Sequence, residues 1–159
     1  MDSQTALITV VVPEYLVSLR TYYGYYVGAD NCGGGDVYAF SAGAGSCEKW
    51  VLRDLNGGSL KNGDQVSLRA ANGMYIAADD GGSSLVNANR TSAGPWETFT
   101  IGSAGGYPYI NSYDNVQLLS NGSWDGKQYY VVAEGGGGGD VNCNRLTAAQ
   151  WETFLLVIY

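Results

Sequence analysis

Three acidic residues stand in the same local setting, each shortly before a glycine-rich stretch: Asp30, Asp79 and Glu134. Eight residues after each acid comes a side chain that can donate a hydrogen bond: Tyr38, Asn87 and Asn142. A carboxylate accepts hydrogen bonds from two hydroxyls, an amide both donates and accepts, and an aromatic face packs against C–H groups. These are the contacts that recognition of a sugar requires. The competing interpretation is that the acids only cap a turn through side-chain bonds to its amides.

Aromatic residues in the preceding loops distinguish the three positions. A tyrosine-rich loop containing Tyr23 precedes the first acid, and a five-residue insertion containing Trp124 precedes the third. An aromatic residue in an inserted loop adds little to a shared core, so an exposed binding role fits it; the alternative, that Trp124 folds back over the protein, stays open. We therefore expect three candidate groups. From strongest to weakest these are Glu134, Asn142, Asn144 and Trp124, then Asp30, Tyr38 and Tyr23, then Asp79 and Asn87.

The groups recur because the chain repeats itself. Trp96-Glu97-Thr98-Phe99 returns unchanged as Trp151-Glu152-Thr153-Phe154. Residues 74–101 align without a gap with 129–156, and 25–52 align in the same frame with fewer identities. Internal repetition at a fixed period is the first property to establish because it constrains the whole fold.

Each unit predicts four short strands joined by turns. The chain has 24 glycines in 159 residues, and its apolar residues alternate with period two rather than with the period of a helix. The units span about 16–55, 65–103 and 115–159, after an N-terminal segment, 1–15, that we expect to close the structure as a strand. Three units of four strands predict an all-β fold of the β-trefoil type, which is a closed barrel capped by hairpins. The alternative, a β-propeller with one blade per unit, would have three blades, one fewer than the usual minimum.

The repeat also predicts the core. We expect the barrel to be lined by two sets of equivalent residues: Leu19, Leu68 and Leu118, and Trp50, Phe99 and Phe154. Repeated large aromatics mostly serve packing, so we expect Trp96 and Trp151 to fill the gap between cap and barrel rather than stack on a sugar. Glu97 and Glu152 then need backbone amides, or Arg90 and Arg145, as partners.

Apolar strands at the two termini are expected to meet. Leu7–Val12 and Phe154–Ile158 are strongly apolar, and either one left as an exposed edge favours aggregation. We expect them to lie side by side where the barrel closes.

The pattern Tyr75-Ile76-Ala77-Ala78-Asp79, a glycine-rich turn, Val86-Asn87-Ala88-Asn89-Arg90 and then Trp96-Glu97-Thr98-Phe99 resembles the fascin-type β-trefoil repeat. Modules of this kind are also found attached to glycoside hydrolases, where they are regarded as carbohydrate-binding. More distantly, the position of the acids resembles that of the galactose-binding Asp in ricin-type lectins. The resemblance covers all three units and is strongest in the second and third. It implies a trefoil that binds glycans or a polysaccharide.

Cysteines and the absence of histidine limit the chemistry. Cys32, Cys47 and Cys143 lack zinc-site spacing, and the chain has no histidine. We expect free thiols, while a bond between Cys32 and Cys47 across the first unit stays open. Cys143 is expected to be a small core residue in the place of Ala39 and Ala88. No cofactor is expected, and the glycine run after Glu134 lacks the tandem copies of a calcium repeat.

Charge excludes some partners. The net charge is −7, and the eight basic residues are scattered, so neither nucleic acid nor an anionic membrane is an expected partner. The apolar runs are too short to span a bilayer. Met1-Asp2-Ser3-Gln4 does not begin a signal peptide, so a cytoplasmic location is expected unless a leader was removed. Nothing fixes the oligomeric state, and a homo-oligomer stays open.

Catalysis is not expected, because no nucleophile has a base beside it and no two acids are placed to face each other. A non-catalytic lectin or carbohydrate-binding module with up to three shallow sites is the favoured function. Two alternatives stay open. One is an actin-binding protein of the fascin type, which the negative charge disfavours because actin is acidic. The other is a trefoil protease inhibitor that presents one rigid loop.

Overall fold

The computed structural model describes residues 12–159, and this part of the chain contains twelve strands. In chain order they are β1 Glu14–Arg20, β2 Tyr26–Ala29, β3 Val37–Ser41, β4 Trp50–Asp54, β5 Gln65–Arg69, β6 Tyr75–Ala78, β7 Ser84–Arg90, β8 Phe99–Ser103, β9 Asn115–Ser120, β10 Tyr130–Ala133, β11 Val141–Arg145 and β12 Phe154–Ile158. Strands β1–β4, β5–β8 and β9–β12 thus fall in the first, second and third repeat.

Six of the strands form a closed ring, the first and last of each repeat. Antiparallel pairing runs from β1 to β4, β5, β8, β9 and β12 and returns to β1. The ring closes where Val17 faces Ile158 and Leu19 faces Leu156. A closed ring leaves no barrel edge on which another chain could add a strand.

The other six strands form three hairpins that cap one end of the barrel. The hairpins β2–β3, β6–β7 and β10–β11 each carry a register shift, and neighbouring hairpins contact one another through β7–β11 pairing and isolated bridges. This arrangement of barrel and caps is the β-trefoil, as the repeat predicts.

The core is built from triplets of equivalent residues. Leu19, Leu68 and Leu118 are each at most 2% exposed, and so are Trp50, Phe99 and Phe154. Both predicted sets of barrel-lining residues are therefore confirmed. The space left among the core side chains is about 10 Å³, so the barrel interior is packed and offers no room for a ligand.

Cys143 fills a core position, as expected from its alignment with alanines. It is fully buried, and its thiol donates to the carbonyl of Tyr129 over 3.2 Å. Burial raises the pKa of this thiol to about 12. A thiol held in its neutral form this firmly is inert toward oxidants and metals.

The predicted terminal strand Leu7–Val12 lies almost wholly outside the described residues, so its pairing with Phe154–Ile158 stays a prediction. Within the described residues, β12 pairs with β1 and β9. Residues 14 and 15, placed in the N-terminal segment by the sequence analysis, form the start of β1.

Candidate functional site

Each of the three acids begins a single turn of 3-10 helix that follows the second strand of its repeat. These turns are Asp30–Cys32, Asp79–Gly81 and Glu134–Gly136, and the middle residue of each has a positive φ. The main chain closes each turn: the N–H of Gly82, for example, donates to the carbonyl of Asp79 over 3.1 Å. The carboxylates are therefore available for other contacts.

In the second repeat the acid forms a network that we call the second cluster (Asp79, Asn87, Asn89 and Arg90). Asn87 Nδ2 donates to one carboxylate oxygen of Asp79 over 2.5 Å, and Arg90 Nη2 donates to the other over 3.0 Å. Arg90 Nη1 donates to Asn89 Oδ1. The Asp79 and Arg90 side chains remain 26% and 34% exposed, so a ligand can reach them.

The third repeat builds the same network, the third cluster (Glu134, Asn142, Asn144 and Arg145). Asn142 Nδ2 donates to Glu134 over 2.8 Å, and Arg145 Nη2 donates to the other carboxylate oxygen over 2.5 Å. Arg145 also donates to Asn144. In neither cluster does the acid accept a bond from a turn amide within the described residues, so turn capping does not explain it. Arg90 and Arg145, which the sequence offers as possible partners of Glu97 and Glu152, are instead the partners of Asp79 and Glu134.

The first repeat differs, because Tyr38, Phe40 and Ser41 replace the Asn, Asn and Arg of the other two. The rings of Tyr38 and Phe40 stack with their centroids 4.7 Å apart. The Tyr38 hydroxyl donates to Asp36 over 2.9 Å rather than to Asp30, and this bond raises the pKa of Tyr38. The first cluster (Asp30, Tyr38 and Phe40) is thus an aromatic shelf beside an acid, bordering a cavity of about 240 Å³.

The loop that contacts each acid-bearing 3-10 turn belongs to another repeat than the turn itself. This corrects the expected grouping, in which Tyr23 and Trp124 belong with the acids of their own repeats. The Trp124 N–H donates to the carbonyl of Asp80 over 3.3 Å, so the inserted loop lies on the second repeat's turn. The Tyr23 N–H donates to the carbonyl of Gly136 over 2.9 Å, which places Tyr23 on the third repeat's turn. Asn72 in turn lies on the first repeat's turn and donates to the carbonyl of Cys32. Trp124 therefore belongs with Asp79 and Tyr23 with Glu134.

The second loop of each repeat corrects another expectation. Trp96 and Trp151 are both 40% exposed, so they do not fill the core. Each lies in a 3-10 turn, Pro95–Glu97 or Gln150–Glu152, in which the glutamate is buried. Glu97 accepts the N–H of Gly94 over 2.8 Å and Glu152 that of Ala149 over 2.7 Å, so backbone amides satisfy both acids as expected. Because the glutamate points inward, the tryptophan beside it points outward.

The outward tryptophan of the third repeat extends the third cluster. A Cβ placed on Gly136 would lie 2.6 Å from the Tyr23 ring and 3.1 Å from Trp151 Cδ1. Only glycine fits between these two rings. Two aromatic side chains therefore adjoin the turn that begins with Glu134.

The first repeat replaces this packing with a covalent bond. Cys32 and Cys47 form a disulfide, with their Cα atoms 4.1 Å apart. The expectation of free thiols is therefore wrong for this pair. Cys32 aligns with Gly136 and Cys47 with Trp151, so the two cysteines face each other because the two 3-10 turns of each repeat pack together.

The loop that carries Trp124 is held in place by Asp125. This carboxylate accepts from Ser123, from Tyr129 over 2.5 Å and from the Lys127 N–H over 3.0 Å. These three hydrogen bonds, that of Ser123 first, lower the pKa of Asp125 to about 2. Trp124 itself is 79% exposed. The tryptophan stands on an ordered loop instead of folding back over the protein.

Two further observations concern metals and membranes. Within residues 12–159, no three His, Cys, Asp or Glu side chains come together as a metal site requires. No helix in the described part of the chain is long and apolar enough to cross a membrane.

Comparison with known proteins supports the fold. No protein-family model and no curated sequence matches the chain. The designed threefold-symmetric protein ThreeFoil matches with a TM-score of 0.68 and 18% identity, covering 91% of this chain and 97% of its own. The SDF2-like protein from Arabidopsis thaliana matches with a TM-score of 0.68 and 15% identity, covering 92% and 94%. A Caenorhabditis elegans protein of unknown function matches with a TM-score of 0.69 and 12% identity, covering 95% and 97%. At these identities the likeness shows the β-trefoil fold.

Proposed function

We propose that this protein is a non-catalytic carbohydrate-binding protein, a lectin or carbohydrate-binding module, with shallow sites at the 3-10 turns of its repeats. The observation that carries the proposal is the recurrence of one acid–Asn–Arg network at equivalent positions of two repeats. The Asp79 and Glu134 carboxylates are 26% and 31% exposed. Sugar hydroxyls need such fixed acceptors and donors beside an aromatic ring.

A purely structural role accounts poorly for these networks. Ion pairs as exposed as Asp79–Arg90 and Glu134–Arg145 typically contribute about 0–1 kcal/mol to stability. Each carboxylate is instead held by two donors, which orients it toward solvent at the end of a strand. The resemblance to fascin-type carbohydrate-binding repeats supports the same function, since Arg90 and Arg145 belong to the matching motif.

The corrected grouping changes the expected order of the sites. The third cluster, with Tyr23 and Trp151 beside it, should bind most tightly. The second cluster adjoins the loop of Trp124 and should follow, while the first cluster has no cation and should be weakest. Such sites bind single sugars in the high-micromolar to millimolar range, about 4–6 kcal/mol, and gain from multivalency.

A glycan array followed by titration tests the proposal. The parent protein should retain a defined set of glycans, and Glu134→Gln should weaken binding at least about tenfold, since a hydrogen bond to a charged group is lost. Asp80→Asn is a matched control, because it changes one exposed charge beside the second cluster without touching a network. Retention of no glycan, together with cosedimentation with actin filaments or inhibition of a protease, would overturn the proposal.

A further inference from the structure

A large cavity lies between the first and third repeats, beside the turn that begins with Glu134. Its volume is about 990 Å³, at the upper end of the range for ligand-binding clefts. Tyr23 and Gln150 belong to its wall, and these residues also flank the turn of Glu134 and the 3-10 turn of Trp151. The cavity therefore adjoins the candidate sugar site at Tyr23.

A second cavity extends the first in the same direction. It has a volume of about 360 Å³ and shares Ala104 and Asn115 with the larger one. Its outer wall carries Tyr107 and Tyr113. Because they share these two lining residues, we treat the two cavities as one open groove that runs from Tyr23, past Asn115 at the start of β9, to Tyr113.

Exposed tyrosines stand at both ends of the groove. Tyr22, Tyr23, Tyr107 and Tyr113 are 53%, 64%, 62% and 71% exposed. Exposed tyrosine rings offer faces that can pack against the C–H side of a sugar. Between the tyrosines the groove presents hydrogen-bonding side chains, namely Arg20, Asn115, Gln117 and Gln150.

One of these tyrosines is held in a costly conformation. Tyr113 has a φ of +72°, which an aromatic residue seldom adopts, and its N–H donates to the carbonyl of Leu156 over 2.6 Å. Strained residues that the surrounding structure keeps in place concentrate at functional sites. The strain presents the Tyr113 ring at the far end of the groove.

We propose that this groove binds a glycan chain along its length, so that the physiological ligand is an oligosaccharide or polysaccharide of several linked sugars rather than a single terminal sugar. The inference rests on the proposed function, because the groove extends the third cluster. Aromatic rings at both ends and hydrogen-bonding side chains between them suit a chain of sugars, since each sugar offers a C–H face and a rim of hydroxyls. Among the described residues, Arg20 is the one charged residue in the wall of the larger cavity, and its guanidinium can donate to ring or carboxylate oxygens.

Chain-length dependence tests the proposal. Gluco-, xylo-, manno- and galacto-oligosaccharides of one to six units are titrated against the parent protein, Tyr22→Ala and Tyr113→Asn. Asparagine tolerates a positive φ, so the second variant removes the ring without adding strain. Tyr109→Ala is the matched control, because Tyr109 is 51% exposed but lies outside the groove wall.

The expected result is that affinity rises at least about tenfold from one unit to six in one sugar series. Both groove variants should lose about tenfold for the hexasaccharide, and Tyr113→Asn, at the far end of the groove, should leave the affinity for the single sugar unchanged. Equal affinity at every chain length, or equal loss in Tyr109→Ala, overturns the groove while leaving the proposed function intact. Absence of binding at every length overturns the proposed function and the groove together.

Discussion

Cys32 and Cys47 form a disulfide at the position where Gly136 and Trp151 pack together in the third repeat. In both cases the bond or contact ties the two 3-10 turns of a repeat to each other. A covalent link therefore serves in the first repeat where an aromatic side chain over a glycine serves in the third.

Removal of this disulfide should destabilise the protein. The bond closes a loop over a sequence separation of 15 residues, for which chain entropy predicts about 3 kcal/mol. Urea unfolding of Cys32→Ala/Cys47→Ala should show a loss of this order. Dithiothreitol should lower the stability of the parent to the same level and leave the double variant unchanged. A parent protein whose stability is insensitive to the reductant would contradict the expectation.

Truncation of a barrel-lining leucine should be costly. Leu68 is 1% exposed and lies in the central layer of the barrel, so Leu68→Ala should lower the free energy of unfolding by about 2–5 kcal/mol. Leu85→Ala is the control, because Leu85 is 53% exposed. Leu85→Ala should lower the free energy of unfolding by no more than about 1 kcal/mol. Similar losses in the two variants would show that Leu68 is not part of a packed core.

Asp54 should make stability depend on pH between about 4 and 6. It is fully buried, and this burial, together with the neighbouring carboxyl group of Asp64, raises the pKa of Asp54 to about 6. The folded protein thus keeps the proton to higher pH than the unfolded chain, so the stabilisation is present below pH 4 and is lost as pH rises through 6. A shift of about two units corresponds to at most about 3 kcal/mol.

Asp54→Asn removes this titration. We expect the parent to lose stability relative to the variant as pH rises from 4 to 7, measured by urea unfolding at each pH. Curves that run parallel across this range would show that Asp54 titrates alike in the folded and unfolded protein.

The contact of Trp124 with the second repeat predicts energetic coupling across repeats. For the array glycan with the highest affinity, Trp124→Ala and Asp79→Asn should be non-additive by about 0.5–3 kcal/mol, since both change one site. Trp124→Ala and Glu134→Gln should be additive to within about 0.5 kcal/mol, since they change different sites. Calorimetric titration of the single and double variants measures both terms. If Trp124→Ala were non-additive with Glu134→Gln and additive with Asp79→Asn, Trp124 would belong with Glu134, as the sequence alone predicts.

The sequence predicts the barrel well because each core position appears three times. Leu68 and Phe99 each have an equivalent residue at the same position of the other two repeats. Apolar and polar residues alternate along the segments around them, as a strand requires. The strand order and the buried aromatic layer follow from this repetition. The same argument places the acids at turns, because Asp79 and Glu134 precede glycines that accept a positive φ.

The arrangement of the candidate sites could not be predicted in the same way. Hydropathy alone predicts that Trp96 is buried and Glu97 is exposed. In the structure Glu97 is the buried residue, because its carboxylate accepts the Gly94 N–H, and Trp96 is exposed. Nothing in the order of the repeats tells which of them the loop of Trp124 will contact. The pairing of Arg90 with Asp79 was readable in principle, since an acid and an arginine recur together in two repeats.

The contacts between loops and 3-10 turns are cyclic. The loop of the first repeat contacts the turn of the third, the loop of the second contacts the turn of the first, and the loop of the third contacts the turn of the second. Every site is therefore the joint property of two units, and none is encoded within one. Excision of a single unit would damage two sites at once, whereas a circular permutant opened between units would keep all three.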